Sequence, residues 1–182
     1  MKPQQLKRED TALLVVDVQE RLAAAMEPQA LSRVLARLGA LIEGARALGL
    51  PIAVTEQYPK GLGRTLPVIR ERLGDVPVLE KMTFTALDDR LRARFSGRRN
   101  MVIAGMETHV CVYQTVRDLV AEGRHPVVYI DAVLSRTALD REVGLELARA
   151  AGATLSSVEA VLFDLLGVAG TPEFKKISAA VK

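Results

Sequence analysis

Cysteine occurs once in the 182 residues, at Cys111. No disulfide can therefore close within the chain, and no cysteine-built zinc site can form. Tryptophan is absent and aromatics make up only 4% of the chain, so the core has to come mainly from Val, Leu, Ile and Ala. Histidine is almost as scarce, with only His109 and His125. No GxGxxG follows the first apolar run, and no GxxxxGKS/T occurs anywhere. Dinucleotide and P-loop readings are left without support. The apolar run Ala12–Val16 is far too short to span a membrane and ends at Asp17. The N-terminal stretch MKPQQLKRED lacks the apolar stretch of a secretory leader. These absences point to a cytoplasmic protein with no membrane partner and no disulfide framework.

What is present suits a folded enzyme. Hydrophobic residues are 49% and charged residues 26%, the balance of a chain with a sizeable core. The length predicts one domain over 1–182, with a body at about 10–167 and a tail at 168–182. Net charge is +3. Arg90, Arg92, Arg94, Arg98 and Arg99 cluster, but Asp88 and Asp89 stand beside them and few aromatics interleave. A nucleic-acid surface pairs basic residues with stacking platforms, so a solvated helix face is the better account. No nucleic-acid partner is expected; a small-molecule substrate is.

Two kinds of segment alternate along the chain. Short β-branched runs read as buried strands at 11–17, 51–55, 76–80, 100–105 and 126–131, with a weaker one at 154–159. Between them lie stretches with apolar residues three and four apart. Leu31, Val34, Leu35, Leu38, Leu41, Ile42 and Ala45 form one, before Gly49. Val110–Glu122 and Ala138–Ala151 form two more, each followed by glycine. This alternation predicts an α/β fold, a three-layer α/β/α arrangement around a parallel sheet. Thr171–Lys182 reads as a short terminal helix packed on the body or on a partner.

Three reactive residues fall at the C-terminal ends of predicted strands: Asp17, Lys81 and Cys111. In a parallel sheet those ends share one edge, so the side chains can converge from distant sequence positions. A thiolate is the attacking form of cysteine, and a free thiol with a pKa of ~8.5 is only slightly ionised at neutral pH. A helix N-terminus and the Lys81 ammonium would both favour the thiolate of Cys111. Asp17 would take the thiol proton, and backbone N–H groups of the turn before the helix would hold an oxyanion. Each residue also has a plainer reading: a turn-forming Asp, a solvated Lys and a small buried Cys.

The wording around these residues is specific. VVDVQ (15–19), TEQYPKGLG (55–63), EKMTFTAL (80–87), GMETHVCVYQT (105–115), DAVLSR (131–136) and VEAVLFDLLG (158–167) together resemble the isochorismatase-like, or cysteine hydrolase, family. TEQYPKGLG is similar to a subgroup whose substrate is not firmly assigned. The resemblance implies a six-stranded, Rossmann-like parallel sheet and a catalytic set of Asp17, Lys81 and Cys111. It implies a cis peptide at Met106–Glu107 and an oxyanion hole from the N–H groups of Glu107 and Cys111. It also implies a homo-oligomer, dimer or larger, for which the apolar Val161, Leu162, Phe163, Leu165 and Leu166 offer a contact unless they are core.

Departures from the family pattern narrow this. Nicotinamidases of the family hold a metal through an Asp and two His near the loop after the second strand; here that loop reads Glu56, Gln57, Tyr58. No metal site and no cofactor are expected. Glu107 stands where many relatives have a small or apolar residue, so its carboxylate either borders the pocket or accepts structural hydrogen bonds. Gln19, Gln57, Tyr58, Phe84 and His109 are candidates for substrate contact, with packing as the alternative for each. The expected activity is hydrolysis of an amide-type C–N bond through a covalent Cys111 intermediate. A thiol redox protein and a catalytically silent binding or scaffold protein are the competing readings.

Overall fold

The computed structural model describes residues 5–182; the first four residues of the polar N-terminal stretch lie outside the described residues. Six strands run in one direction: β1 (Thr11–Val16), β2 (Ile52–Gln57), β3 (Val78–Lys81), β4 (Asn100–Met106), β5 (His125–Leu134) and β6 (Thr154–Ser156). They lie in the order β3-β2-β1-β4-β5-β6, every neighbouring pair parallel. The connecting helices are α1 (Glu20–Ala24), α2 (Pro28–Ala47), α3 (Pro59–Leu62), α4 (Pro67–Leu73), α5 (Asp89–Arg94), α6 (Tyr113–Ala121), α7 (Ala138–Ala151), α8 (Val158–Leu166) and α9 (Pro172–Ala180).

Alternation along the strands builds the layers, because successive strand side chains point to opposite faces. Leu13 and Val15 of β1 join a core with side chains of α2, α4, α8 and α9. Ala12, Leu14 and Val16 join the other core, with α5, α6 and α7. Both faces of β1 are buried, which is why its sequence is uniformly apolar rather than alternating. The three-layer α/β/α arrangement expected from the sequence is the one found.

Helix starts follow ordinary capping chemistry. The Glu27 carboxylate accepts from the N–H groups of Gln29 and Ala30 at the start of α2. Thr137 does this for α7 and Ser157 for α8. That Ser157 cap corrects the expected strand 154–159: only Thr154–Ser156 is strand, and Val158 already begins α8. Strand β5 is longer than the expected 126–131 because its register slips. β4 advances from Ile103 to Gly105 while β5 advances from Val128 to Val133.

Of the two readings of the C-terminal apolar residues, core packing is the one found. Val161, Leu162, Leu165 and Leu166 are buried in the chain's own core, and Phe163 packs on Phe174 of α9, ring centroids 6.2 Å apart. The tail helix packs on the body through the buried Ile177, and Arg37 donates to the Val181 carbonyl at 2.8 Å. Among the described residues, no helix is long and apolar enough to cross a membrane.

Candidate active site

The chain leaves β1 for β2 and β3 on one side, then returns to lay β4 on the other. A crevice forms outside the C-terminal strand ends where the direction of winding reverses. Asp17 follows β1 directly, and the turn carrying Cys111 follows β4. Lys81 is the last residue of β3 and reaches past β2 to Asp17.

Asp17 has a left-handed backbone, φ +49°. Non-glycine residues rarely adopt this region, and Asp is among the few that tolerate it. Its N–H donates to the Thr55 carbonyl at 3.2 Å and its own carbonyl accepts from the Gln19 N–H at 2.9 Å. The side chain, 0% exposed, accepts from Thr55 Oγ1 on Oδ1 at 2.6 Å and from Lys81 Nζ on Oδ2 at 2.7 Å. Lys81 is 7% exposed. Its ammonium also donates to Gln57 Oε1 at 2.9 Å, the Phe84 carbonyl at 2.9 Å and the Thr83 carbonyl at 3.2 Å. A buried ion pair offsets its desolvation only when further hydrogen bonds complete it, and here both partners have them.

Cys111 is 5% exposed. It sits in a wide turn, Thr108–Val112, that precedes α6. Its thiol is pushed up to about 12, first by burial and then by the negative charge of Asp17. Lys81 pulls the other way without prevailing, a hydrogen bond with the Asp17 carboxylate adds to the rise, and the Glu107 backbone N–H opposes it. This corrects the expectation that Lys81 and a helix start hold a resting thiolate. The Lys81 charge is matched by Asp17, which itself repels a negative sulfur. The resting group is a neutral thiol under the charge of Asp17.

The Cys111 turn is held from several sides. The Met106–Glu107 peptide is cis. The Glu107 carbonyl accepts from the N–H groups of Val110 at 3.1 Å and Val112 at 3.2 Å. Ser135 Oγ accepts from the Thr108 N–H at 3.1 Å and lies 3.1 Å from His109 Nδ1. Gly144 of α7 backs onto the turn: a Cβ there would lie 2.5 Å from the His109 nitrogen, so only glycine lets α7 approach this closely.

The other expected site residues divide. Gln57 touches Lys81 and donates to the Met82 carbonyl at 3.0 Å. Gln19 is buried and engaged with backbone: Nε2 donates to the Gln57 and Gly63 carbonyls and Oε1 accepts from the Gln57 N–H. Tyr58 and Phe84 carry exposed rings on the segments that follow β2 and β3. The Glu107 carboxylate accepts from the Arg136 N–H at 3.2 Å and Arg136 Nε at 2.9 Å, a link to the loop after β5. His109 Nε2 lies 4.0 Å from Asp140. Among the described residues, no group of three or more His, Cys, Asp or Glu side chains is placed to share a metal ion.

Sequence reasoning missed Thr55 and Ser135. Thr55 left one visible signal, a polar residue in an apolar strand four positions after Pro51; Ser135 left none. Four of the five clustered arginines are engaged internally. Arg90 pairs with Asp88, Arg92 with Asp89 and Glu122, Arg94 donates to the Ile52 carbonyl, and Arg98 donates to the carbonyls of Arg8 and Glu9.

Known proteins match along most of the chain. Residues 11–160 match the Isochorismatase domain family. The secreted isochorismatase effector Isc1 of Phytophthora sojae is 37% identical, over 94% of this chain and 84% of its own. Isochorismatase domain-containing protein 1 of Danio rerio is 38% identical over 78% of this chain, which spans 51% of that longer relative. Among solved structures, one titled MAR1 ribonuclease from Caenorhabditis elegans superposes with a TM-score of 0.92 at 34% identity, covering 98% of this chain and 92% of that one. Matches of this extent, on a six-stranded parallel sheet with Asp17, Lys81 and Cys111 at one edge, place the chain in the isochorismatase domain family.

Proposed function

We propose that this hydrolase-family member cleaves an amide-type C–N bond of a small molecule through a covalent intermediate on Cys111. The observation that carries the reading is the buried Asp17–Lys81 pair, whose two charges both act on the buried Cys111 thiol. Cys111 Sγ attacks the substrate carbonyl carbon while Asp17 takes the thiol proton, so a free thiolate need not accumulate. The C–S bond forms, and the carbonyl electron pair moves to oxygen. The N–H groups of Glu107 and Cys111 receive that oxyanion. Asp17 gives the proton to the leaving nitrogen as the C–N bond breaks. Asp17 then deprotonates water, which attacks the thioester and frees the acid and the thiol. Lys81 keeps the Asp17 carboxylate in place and balances its charge.

Cys111→Ala is expected to lower turnover of any amide the protein hydrolyses by at least about a thousandfold, the scale on which covalent nucleophiles matter. Undiminished turnover in that variant would sink the reading. RNA belongs in the same substrate panel because of the Caenorhabditis elegans neighbour's name, though the arginine cluster is engaged with internal acceptors. The thiol redox reading is weakened by the raised thiol, since the thiolate is the form that reduces peroxide. Peroxide consumption driven by a thiol reductant, without amide hydrolysis, would favour it instead.

A homo-oligomer remains part of this proposal. Its support is now the row of exposed Leu139, Val143 and Leu147 on α7, spaced at four residues on one helix face. Light scattering should give a mass above one chain; a monomer at assay concentration removes this part.

A further inference from the structure

Thr115 lies one helical turn after Cys111 on α6 and is fully buried. Its Oγ1 donates to the Cys111 carbonyl at 2.6 Å and accepts from the Ala86 N–H at 2.9 Å. A helical Thr bonded to the carbonyl four residues back is commonplace. The second bond is different, because it leaves the helix for a segment 29 residues away in sequence. That segment follows β3, and it supplies the Thr83 and Phe84 carbonyls that hold the Lys81 ammonium. Lys81 holds Asp17, whose charge acts on the Cys111 thiol.

These contacts form a chain that the Asp17 charge closes into a ring. It runs from Asp17 through Lys81, the Thr83 and Phe84 carbonyls, the Ala86 N–H and the Thr115 hydroxyl to the Cys111 carbonyl, and the charge of Asp17 acts on the Cys111 thiol. We propose that Thr115 is a positioning residue: its hydroxyl ties the Cys111 turn to the Lys81 segment and so sets the thiol against its base. The ring rests on Cys111, Asp17 and Lys81 acting together, as in the proposed hydrolysis. Among the described residues, this hydroxyl makes the hydrogen bond that joins α6 to the Lys81 segment, and the Ala86 N–H would be orphaned without it.

Alkylation of Cys111 by iodoacetamide tests this without a substrate. Cys111 is the only cysteine, so the added mass reports on it alone. With Asp17 in place, the wild-type rate should vary little with pH around neutrality. Thr115→Val keeps the shape and removes the hydroxyl. It should slow alkylation near neutral pH by about tenfold, the scale of a small misplacement of reacting groups, and make the rate climb with pH as for an unassisted thiol. Thr115→Ser should restore both rate and profile. If Thr115→Val does not fold by circular dichroism, Thr115→Ala gives the same readout. A folded Val or Ala variant with the wild-type rate and pH profile overturns the proposal, and so does a Ser variant that restores neither. Failure of every amide substrate would count against the hydrolase reading alone, since alkylation needs no turnover.

Discussion

Replacing Asp17 by asparagine should lower turnover by about a thousandfold, within the range for losing a positioned general base. Asparagine matches the shape of the carboxylate but cannot accept the Cys111 proton. The thiol would stay buried and neutral with nothing to deprotonate it during attack. The same change removes the countercharge of a Lys81 side chain that is 7% exposed. Breaking a buried pair costs about 3–5 kcal/mol, and the lower end applies because the asparagine oxygen can still accept from Nζ. Turnover measured on the folded variant, with a urea midpoint beside it, separates the two losses. Activity within a few-fold of wild type would mean that Asp17 is not the proton acceptor.

Gly105→Ala should be far more disruptive than its single added methyl suggests. Gly105 has φ +129°, and a Cβ there would lie 2.0 Å from the Val16 carbonyl oxygen and 2.7 Å from the Val16 nitrogen. Both are backbone atoms of β1, paired in register with β4 at this position, so no side chain can rotate away. Val16 immediately precedes Asp17, and Gly105 lies three positions before the start of the Cys111 turn, so the collision also reaches the site. A loss of about 4 kcal/mol or more, or failure to fold, is expected. Gly97→Ala is the control: its φ is +74° but nothing lies within 4 Å of the added carbon, so about 1 kcal/mol is expected. Similar urea midpoints for the two variants would contradict the close β1–β4 contact.

The fold was largely legible because both faces of the sheet are covered. Uniform apolar runs such as Leu13–Val16 and the three- and four-residue spacing from Leu31 to Ala45 each have one sensible reading. The boundaries that failed were those set by single hydrogen bonds. The Ser157 cap ended β6 early, and nothing in PVVYID signals the register slip that lengthens β5. In the site, the convergence of Asp17, Lys81 and Cys111 followed from strand ends sharing an edge. The protonation of the thiol did not, because it depends on depth of burial and on which of two opposite charges lies beside the sulfur. Ser135 and Thr115 were equally hidden: a hydroxyl's partner is fixed by tertiary distance, and neither residue differs in sequence from a surface Ser or Thr. Glu107 stands out in the sequence against the family pattern, but its Arg136 partner is set by tertiary distance.

The most direct test of the central claim is the mass of the intact protein, acid-quenched during turnover of a panel of small amides. The account predicts an increase equal to the acyl portion of the substrate, located on the peptide containing Cys111 and absent from Cys111→Ala. Steady turnover of an amide with Cys111 unmodified at every time point, and equally fast in Cys111→Ala, would contradict it.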